Sequence, residues 1–544
     1  MTRVWVCFLC LAAAWAQSAG SQKSPKIEGR VVNAKNGEPV PRATLTLAGS
    51  GRNAAPRGGR SDGEGRFLIE NIEPGSYRLT AERVGFLRQG YGSSTPGGAG
   101  APLNLSEGQH LKDLEIRLTP QGVIMGLVVD EDGDPLPRVN VTAWRQGNSA
   151  SPQTTSGSMT NDIGEYRIAG LSPGRYIVVA ERQAGGMARG GPGRGGLIAA
   201  EQAPVPTYYP STADASAALP IDVAAGQEIA GINIAMRTGS LFRIQGRVMG
   251  ANPQDTAGGM RLMLMPRGNS VFRGITRGGA QVRADGSFEI TRVPAGSYYI
   301  IAQNTGRQGG GGPVGKTMVD VSTSDITGLL VSLTEPLTVS GIVKVEGQQA
   351  AEPQRVNLSL TPFEAGMFGY PSGRTASDGS FKVSGVFPDR YYLNLSGLPE
   401  GAYVKSVKLA GQEVLDKGVD LSGFRGSAAL EVLLSLKGAT LEGTATAGDK
   451  PAVGSTIAVL PDPPRPSQPY LNKTATADQD GKFTIRGLAP GRYKVYAFEE
   501  SMPELARDPS LAAPFEQKAV KVDLDAGAVE RVELKALKPE DAGR

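Results

Sequence analysis

The chain of 544 residues holds one histidine, two cysteines and three tryptophans, and aromatic residues make up only 6% of it. Both cysteines, Cys7 and Cys10, fall within the first ten residues. Beyond them no disulfide, catalytic thiolate or thiolate metal site can form. A catalytic zinc ordinarily needs three protein ligands with at least two His or Cys among them, which a single histidine cannot supply. That histidine, His110, follows the polar turn Glu107-Gly108-Gln109. A hydroxyl or thiol nucleophile needs a positioned base, and a lone loop imidazole is a poor one. Charge of one sign is also missing. Lys+Arg number 57 and Asp+Glu 53, a net +4. The basic face that nucleic-acid binders carry is therefore not expected.

Long hydrophobic runs are absent except at the start. Arg3 begins a short positive segment, Val4–Ala14 is apolar but too short to span a bilayer, and Ala14-Trp15-Ala16 is a small-x-small cleavage signal. Residues 1–16 are expected to be a signal peptide, with the mature chain starting near Gln17. Leu9, where a small residue would precede a lipidated cysteine, disfavours a lipid anchor at Cys10. The predicted location is secreted, periplasmic or cell-surface, with no transmembrane segment after cleavage, and the disulfide-free mature chain suits a bacterial export product.

What the chain has in abundance is glycine (74) and proline (38). They punctuate short apolar stretches, which favours all-β domains. One pattern recurs five times. A Gly-x-[Val/Leu] step precedes an Asp-Gly turn, an aromatic, a Pro-Gly turn and a tyrosine, with Ala295 inserted in the third Pro-Gly turn and Asp389 in place of the glycine in the fourth. The copies include Gly29, Asp62-Gly63, Phe67 and Tyr77; Gly126, Asp162-Ile163-Gly164, Tyr166 and Tyr176; Gly246, Asp285-Gly286, Phe288 and Tyr298. They continue with Gly341, Asp378-Gly379, Phe381 and Tyr391, then Gly443, Asp480-Gly481, Phe483 and Tyr493. Asp-Gly is expected to supply the positive-φ residues of a tight hairpin. After each tyrosine, alternate residues are apolar, as in Tyr176, Val178 and Ala180, so one face of the strand is buried and the other wet. Gly-rich insertions at Gln89–Ala101, Gln183–Ala200 and Asn304–Gly315 are expected to be mobile surface loops.

The block from Asp162 to Ala180, and Asp480 to Ala497 close behind it, resembles the carboxypeptidase regulatory-like domain family. The resemblance implies a transthyretin-like, carbohydrate-binding-like β-sandwich, akin also to Cna B-type surface domains. The fold class expected is all-β, a tandem array of five immunoglobulin-like or transthyretin-like antiparallel sandwiches. The expected boundaries are 17–120, 121–239, 240–336, 337–438 and 439–544, joined by short linkers into a rod. The motif consists of turn and core residues, so it speaks to fold rather than chemistry. The zinc peptidase domain that this family accompanies elsewhere has no counterpart in the sequence.

No catalytic, metal or cofactor site is expected. Acidic turns at Asp130, Glu131, Asp132 and Asp134, and at Asp478 and Asp480, offer carboxylates for Ca²⁺, but no complete twelve-residue loop follows, and solvated turns are the simpler reading. The Arg189–Gly196 stretch lacks the Lys-Ser/Thr of a phosphate loop. Trp144 follows Ala143 on an alternating strand, and Tyr208-Tyr209 sits in a proline-bounded loop. These three aromatics are the expected ligand-contact residues. The predicted function is a non-catalytic extracytoplasmic binding or structural protein, with a polysaccharide or a cell-envelope protein as partner. The alternatives are an envelope scaffold or adhesin, and a carboxylate-based hydrolase built on Asp132 and Asp134.

Overall fold

A computed structural model describes residues 24–49, 56–146, 153–182, 201–250, 259–267, 279–304, 312–346, 355–363 and 370–542. The expected leader, both cysteines, the Gln183–Ala200 insertion and the Arg189–Gly196 stretch lie outside these residues. The described chain is almost entirely β, with a few short 3₁₀ helices. No helix among the described residues is long and apolar enough to cross a membrane.

Among the described residues, apolar side chains gather into five main cores. They are drawn in turn from residues 27–118, 124–236, 242–331, 337–434 and 439–534, termed units 1 to 5. Each unit is a sandwich. Its first strand (Lys26–Asn33, Gly122–Val129, Thr238–Met249, Leu337–Val345 and Ala439–Ala447) pairs antiparallel with the strand that follows the tight turn. On its other edge it pairs parallel with the closing strand. The antiparallel rule expected from the sequence is thus relaxed at this place in every unit, and in unit 5 also where Gly491–Phe498 pairs parallel with the closing strand. In units 1, 2 and 4 the closing strand follows a strand of the opposite sheet, the crossover that a parallel pair requires, whereas in units 3 and 5 the strands join into one continuous eight-stranded sheet.

The repeated motif acquires a physical reason in this pairing. Phe67 stands directly across from Gly29, Tyr166 from Gly126, Phe288 from Gly246, Phe381 from Gly341 and Phe483 from Gly443. The ring lies over the glycine, and the parallel strand closes in from the other side. A Cβ at these glycines would stand 1.7–2.1 Å from a backbone oxygen of the closing strand. The glycine and the aromatic are therefore one feature: a side chain removed from one strand makes room for a ring from the next.

The tight turn differs from the expected two-residue hairpin. It is a four-residue loop in which only the glycine takes positive φ, as at Gly164 (74°) and Gly481 (74°). In unit 1 that glycine is Gly65, two residues beyond the expected Gly63. Asp62, Asn161 and Asp478 open the equivalent turns. Each accepts hydrogen bonds through Oδ1 from backbone N–H groups two and four residues on. A short side chain capping its own turn is a local device that needs no partner from elsewhere.

The tyrosine of the second turn has its own role. In all five units its ring is buried and its hydroxyl donates to the carbonyl four residues earlier: Tyr77 to Glu73, Tyr176 to Ser172, Tyr298 to Pro294, Tyr391 to Phe387 and Tyr493 to Ala489, at 2.6–2.9 Å. The ring fills the core while the hydroxyl clamps the turn that delivers the strand.

The junctions are short and bonded. Gln121 N donates to the Gly85 carbonyl between units 1 and 2. Glu201–Pro204 pairs as a strand with residues of Thr238–Met249 and so extends the sheet of unit 3. Phe387 of unit 4 packs on Ile301 and Val314 of unit 3. The array does not run on as the expected rod, because unit 1 contacts unit 5: Ser94 Oγ donates to the Glu499 carbonyl, and Asn104 Nδ2 donates to Asp478 Oδ2 at 3.2 Å. The Gln89–Ala101 insertion responsible is built rather than mobile. Gln89 is 3% exposed, donates to the carbonyls of Ser93 and Thr95, and accepts from Gly97 N.

Candidate binding site

The tyrosine-led strand of unit 4 reads Tyr391-Tyr392. Period two sends Tyr391 into the core and Tyr392 to the opposite face. There Tyr392 stacks on Phe363, with ring centroids 3.9 Å apart and planes 15° from parallel. The Arg390 guanidinium, also on the outward face, lies 4.8 Å from the centre of the Phe363 ring and 3.9 Å from the Asp420 carboxylate. Asp420 accepts from the Ser422 hydroxyl and N–H, which hold its carboxyl below the usual range and keep it ionised beside Arg390.

These groups form one wall of a cleft of about 880 Å³ between units 4 and 5. The opposite wall is the proline-rich segment Pro464–Ser467 of unit 5, which brings Arg465. A polar network fixes the two walls. Ser467 Oγ donates to the Asp416 carbonyl at 2.6 Å, the buried Gln468 amide donates to the Asp416 carboxylate, and Tyr470 OH donates to Gln468 Oε1 at 3.2 Å. Tyr470 packs against the core of unit 4. Burial, followed by the Asp416 charge, raises its phenol well above the usual range, so it remains a donor at any physiological pH. The volume, two stacked rings and convergent Arg390, Arg465 and Lys417 suit a ligand with both apolar faces and oxygen acceptors.

A second cleft of about 820 Å³ separates units 2 and 3 and includes Tyr208, Asp214, Phe242, Arg267 and Tyr298 in its lining. The structure brings two of the three expected contact residues together. Trp144 does leave the face of Val141 and Ala143, and with Tyr208 it covers Ile177 and Val179 on the outer side of the unit 2 sheet. Tyr208 is 3% exposed, and Trp144 is half-buried. Tyr209 turns the other way and packs on the core of unit 2. Phe363, Arg390 and Tyr392 escaped the sequence reading. The signal for Tyr392 was present, since alternation from the buried Tyr391 already directs it outward.

The acidic turns are occupied by the fold. Asp130 Oδ1 accepts from Asp132 N and Asp134 N, and Glu131 accepts from Thr238 N across the junction of units 2 and 3. Asp132 and Asp134 are exposed on the turn. No group of three or more metal-ligating side chains occurs among the described residues. His110 Nε2 lies 3.1 Å from the Glu28 carboxylate on the neighbouring strand.

None of the curated proteins compared matches the chain. Among solved structures it is similar to a streptococcal ancillary pilin, at 11% identity over 55% of this chain and 99% of that one, with a TM-score of 0.18. It is similar to the minor pilin GBS52 of Streptococcus agalactiae, at 13% identity over 39% and 95% with a TM-score of 0.21. Two B repeat units of the collagen-binding protein Cna of Staphylococcus aureus match at 10% identity over 76% and 100%, with a TM-score of 0.13. The carboxypeptidase regulatory-like domain model matches residues 26–119 and 123–190, which are units 1 and the greater part of 2. Those two segments, with their glycine–aromatic pairs and clamped tyrosines, are what the carboxypeptidase regulatory-like domain model matches in this chain.

Proposed function

We propose that the chain is a non-catalytic, extracytoplasmic binding and structural protein that holds a polysaccharide in the cleft between units 4 and 5. In this reading residues 1–16 direct export, and all five units, bounded at 17–120, 121–239, 240–336, 337–438 and 439–544, are variants of the domain matched at the N-terminus. The observation that carries the reading is the Tyr392–Phe363 stack flanked by Arg390 and faced by Arg465. Sugar rings present apolar faces to aromatics and hydroxyl or carboxylate oxygens to arginine. The cleft that includes Tyr208, with Trp144 behind it, is a second place along the same chain for an extended ligand. The test is retention of the full chain on glycan arrays and soluble cell-wall polymers. Retention on at least one is expected, weakened about tenfold, or ~1.4 kcal/mol, by Tyr392→Ala. No retention on any polymer would sink the carbohydrate reading.

A protein partner, as for a scaffold or adhesin, is the second reading. Leu330 and Met318 are more than half exposed on strands of unit 3, and exposed apolar side chains favour a protein surface over a sugar. This reading expects a single envelope protein in a pull-down, and expects its capture to survive both Tyr392→Ala and Trp144→Ala.

A further inference from the structure

We propose that the chain is a closed ring in solution, latched head to tail by the Gln89–Ala101 loop of unit 1 on unit 5, and that Gly454 is the residue that admits the latch. The contact joins segments some four hundred residues apart through complementary polar groups. Besides the Ser94 bond, Thr95 Oγ1 accepts from Ser501 N at 2.9 Å and donates to the Ser501 carbonyl at 3.4 Å. Asn104 N donates to Gln479 Oε1 at 3.1 Å, and Gln479 Nε2 returns a bond to the Asn104 carbonyl at 3.4 Å. The Asp478–Gly481 turn, which as a sequence offered carboxylates for a cation, therefore serves as part of the receiving surface.

The choice of residue at position 454 is the independent observation. The same turn precedes the second strand of units 1 and 2, where arginine occupies it. Arg42 and Arg138 both have φ of 57° and donate their N–H groups to the carbonyls of Ser61 and Thr160. Gly454 (φ 77°) makes the equivalent bond to the Ala477 carbonyl. The turn itself thus accepts arginine. Unit 1 is what excludes it: a Cβ on Gly454 would stand 1.8 Å from the Gly92 carbonyl oxygen. A Cβ on Gly92 would in turn stand 2.7 Å from Val453 Cγ1. In unit 3 the position is also glycine, Gly259, yet a Cβ there meets nothing within 4 Å. The close approach at 454 comes from the latch and not from the turn.

No ion pair crosses this contact among the described residues, so closure should survive high salt, unlike a charge-driven association. The test places cysteines at Thr95→Cys and Ser501→Cys in a full chain with Cys7→Ala and Cys10→Ala, and joins them with a short bis-maleimide at low protein concentration. The expected product is a cross-linked monomer, in low and high salt alike. Products only at dimer mass, or none, would overturn the proposal. Adding Gly454→Arg is expected to abolish the monomeric cross-link and to raise the radius of gyration by small-angle scattering. It should leave the β signal of circular dichroism intact, because units 1 and 2 fold with arginine there. A ring that persists in Gly454→Arg would overturn the role of Gly454. Should that variant misfold, Asn104→Ala with Gln479→Ala, both on exposed surfaces, must still reduce the cross-link yield and the hydrogen-exchange protection of the Gln89–Ala101 amides. Unchanged values in that variant would also overturn the latch.

Discussion

At the scale of single residues, the clamped tyrosines and the glycine–aromatic pairs carry the most consequence. Tyr391 is buried, and its hydroxyl satisfies the Phe387 carbonyl. Tyr391→Phe removes the donor but keeps the ring, and is expected to cost about 1–2 kcal/mol in unit 4, measured by denaturant unfolding. Burial above all, aided by Asp389, pushes the Tyr391 phenol up to about 12, and burial does the same for Tyr493. A phenol raised in the folded state contributes stability that is complete below its unfolded value near 10. That stability is lost as pH rises from about 10 through about 12. Thermal melts across this window should show the loss, and Tyr391→Phe should make it shallower. An unchanged slope would mean that the hydroxyl is not held as described. Gly341→Ala places a methyl 1.7 Å from the Leu430 carbonyl oxygen and is expected to destabilise unit 4 by about 3 kcal/mol. Such residues were legible as a pattern, because they recur at matched positions. Their reason was not, since Gly341 and Phe381 meet only when two strands pair.

Among elements, the Gln89–Ala101 loop and the last sheet of unit 5 behave differently from the rest. Gln89→Ala removes the side-chain donor to the Ser93 carbonyl and one of the donors to the Thr95 carbonyl. Its expected effect is a gain in hydrogen-exchange rate confined to this loop and to the Glu499–Ser501 segment it touches. In unit 5 the strand Thr456–Pro461 is buried at every position, because the 3₁₀ segment Pro509–Lys518 covers its outer face. Phe515, Phe498 and Tyr496 form that second core, with the two phenylalanine rings edge to face at 5.2 Å. Phe515→Ala should cost about 3 kcal/mol in unfolding of unit 5, with the cores of the other units unaffected. The composition of Gln89–Ala101 pointed to mobility, because glycine and serine favour it. A single buried glutamine overrides that tendency by bonding three points of the loop at once, and no local pattern reports that its side chain turns inward.

For the whole molecule, bonded junctions and the contact of unit 1 with unit 5 replace the rod that short linkers suggested. An open and a closed chain differ in which surfaces face outward. Closure also couples the ends. Anything that stabilises unit 5 then protects the unit 1 loop, by the same linkage that governs any bound partner. A destabilised unit 5, as in Phe515→Ala, is therefore expected to raise hydrogen exchange at Ser93–Thr95. The cleft between units 4 and 5 belongs to this scale as well. Phe363, Tyr392 and Arg390 come from unit 4, but the wall that makes a cleft of them is the Pro464–Ser467 segment of the next unit.

By itself the sequence determined the all-β class, the recurrence of one turn-and-core motif, the inward faces of the strands and the places of most turns. Each of these is local, written in period-two alternation and in the φ preferences of a few residues. Only the tertiary structure decided the parallel pairing of first and closing strands, the clefts at the junctions and the meeting of Gly92 with Gly454. These depend on which surfaces of distant segments come into contact, and a chain that repeats one motif writes nearly the same local code at each copy, whichever neighbours it will touch.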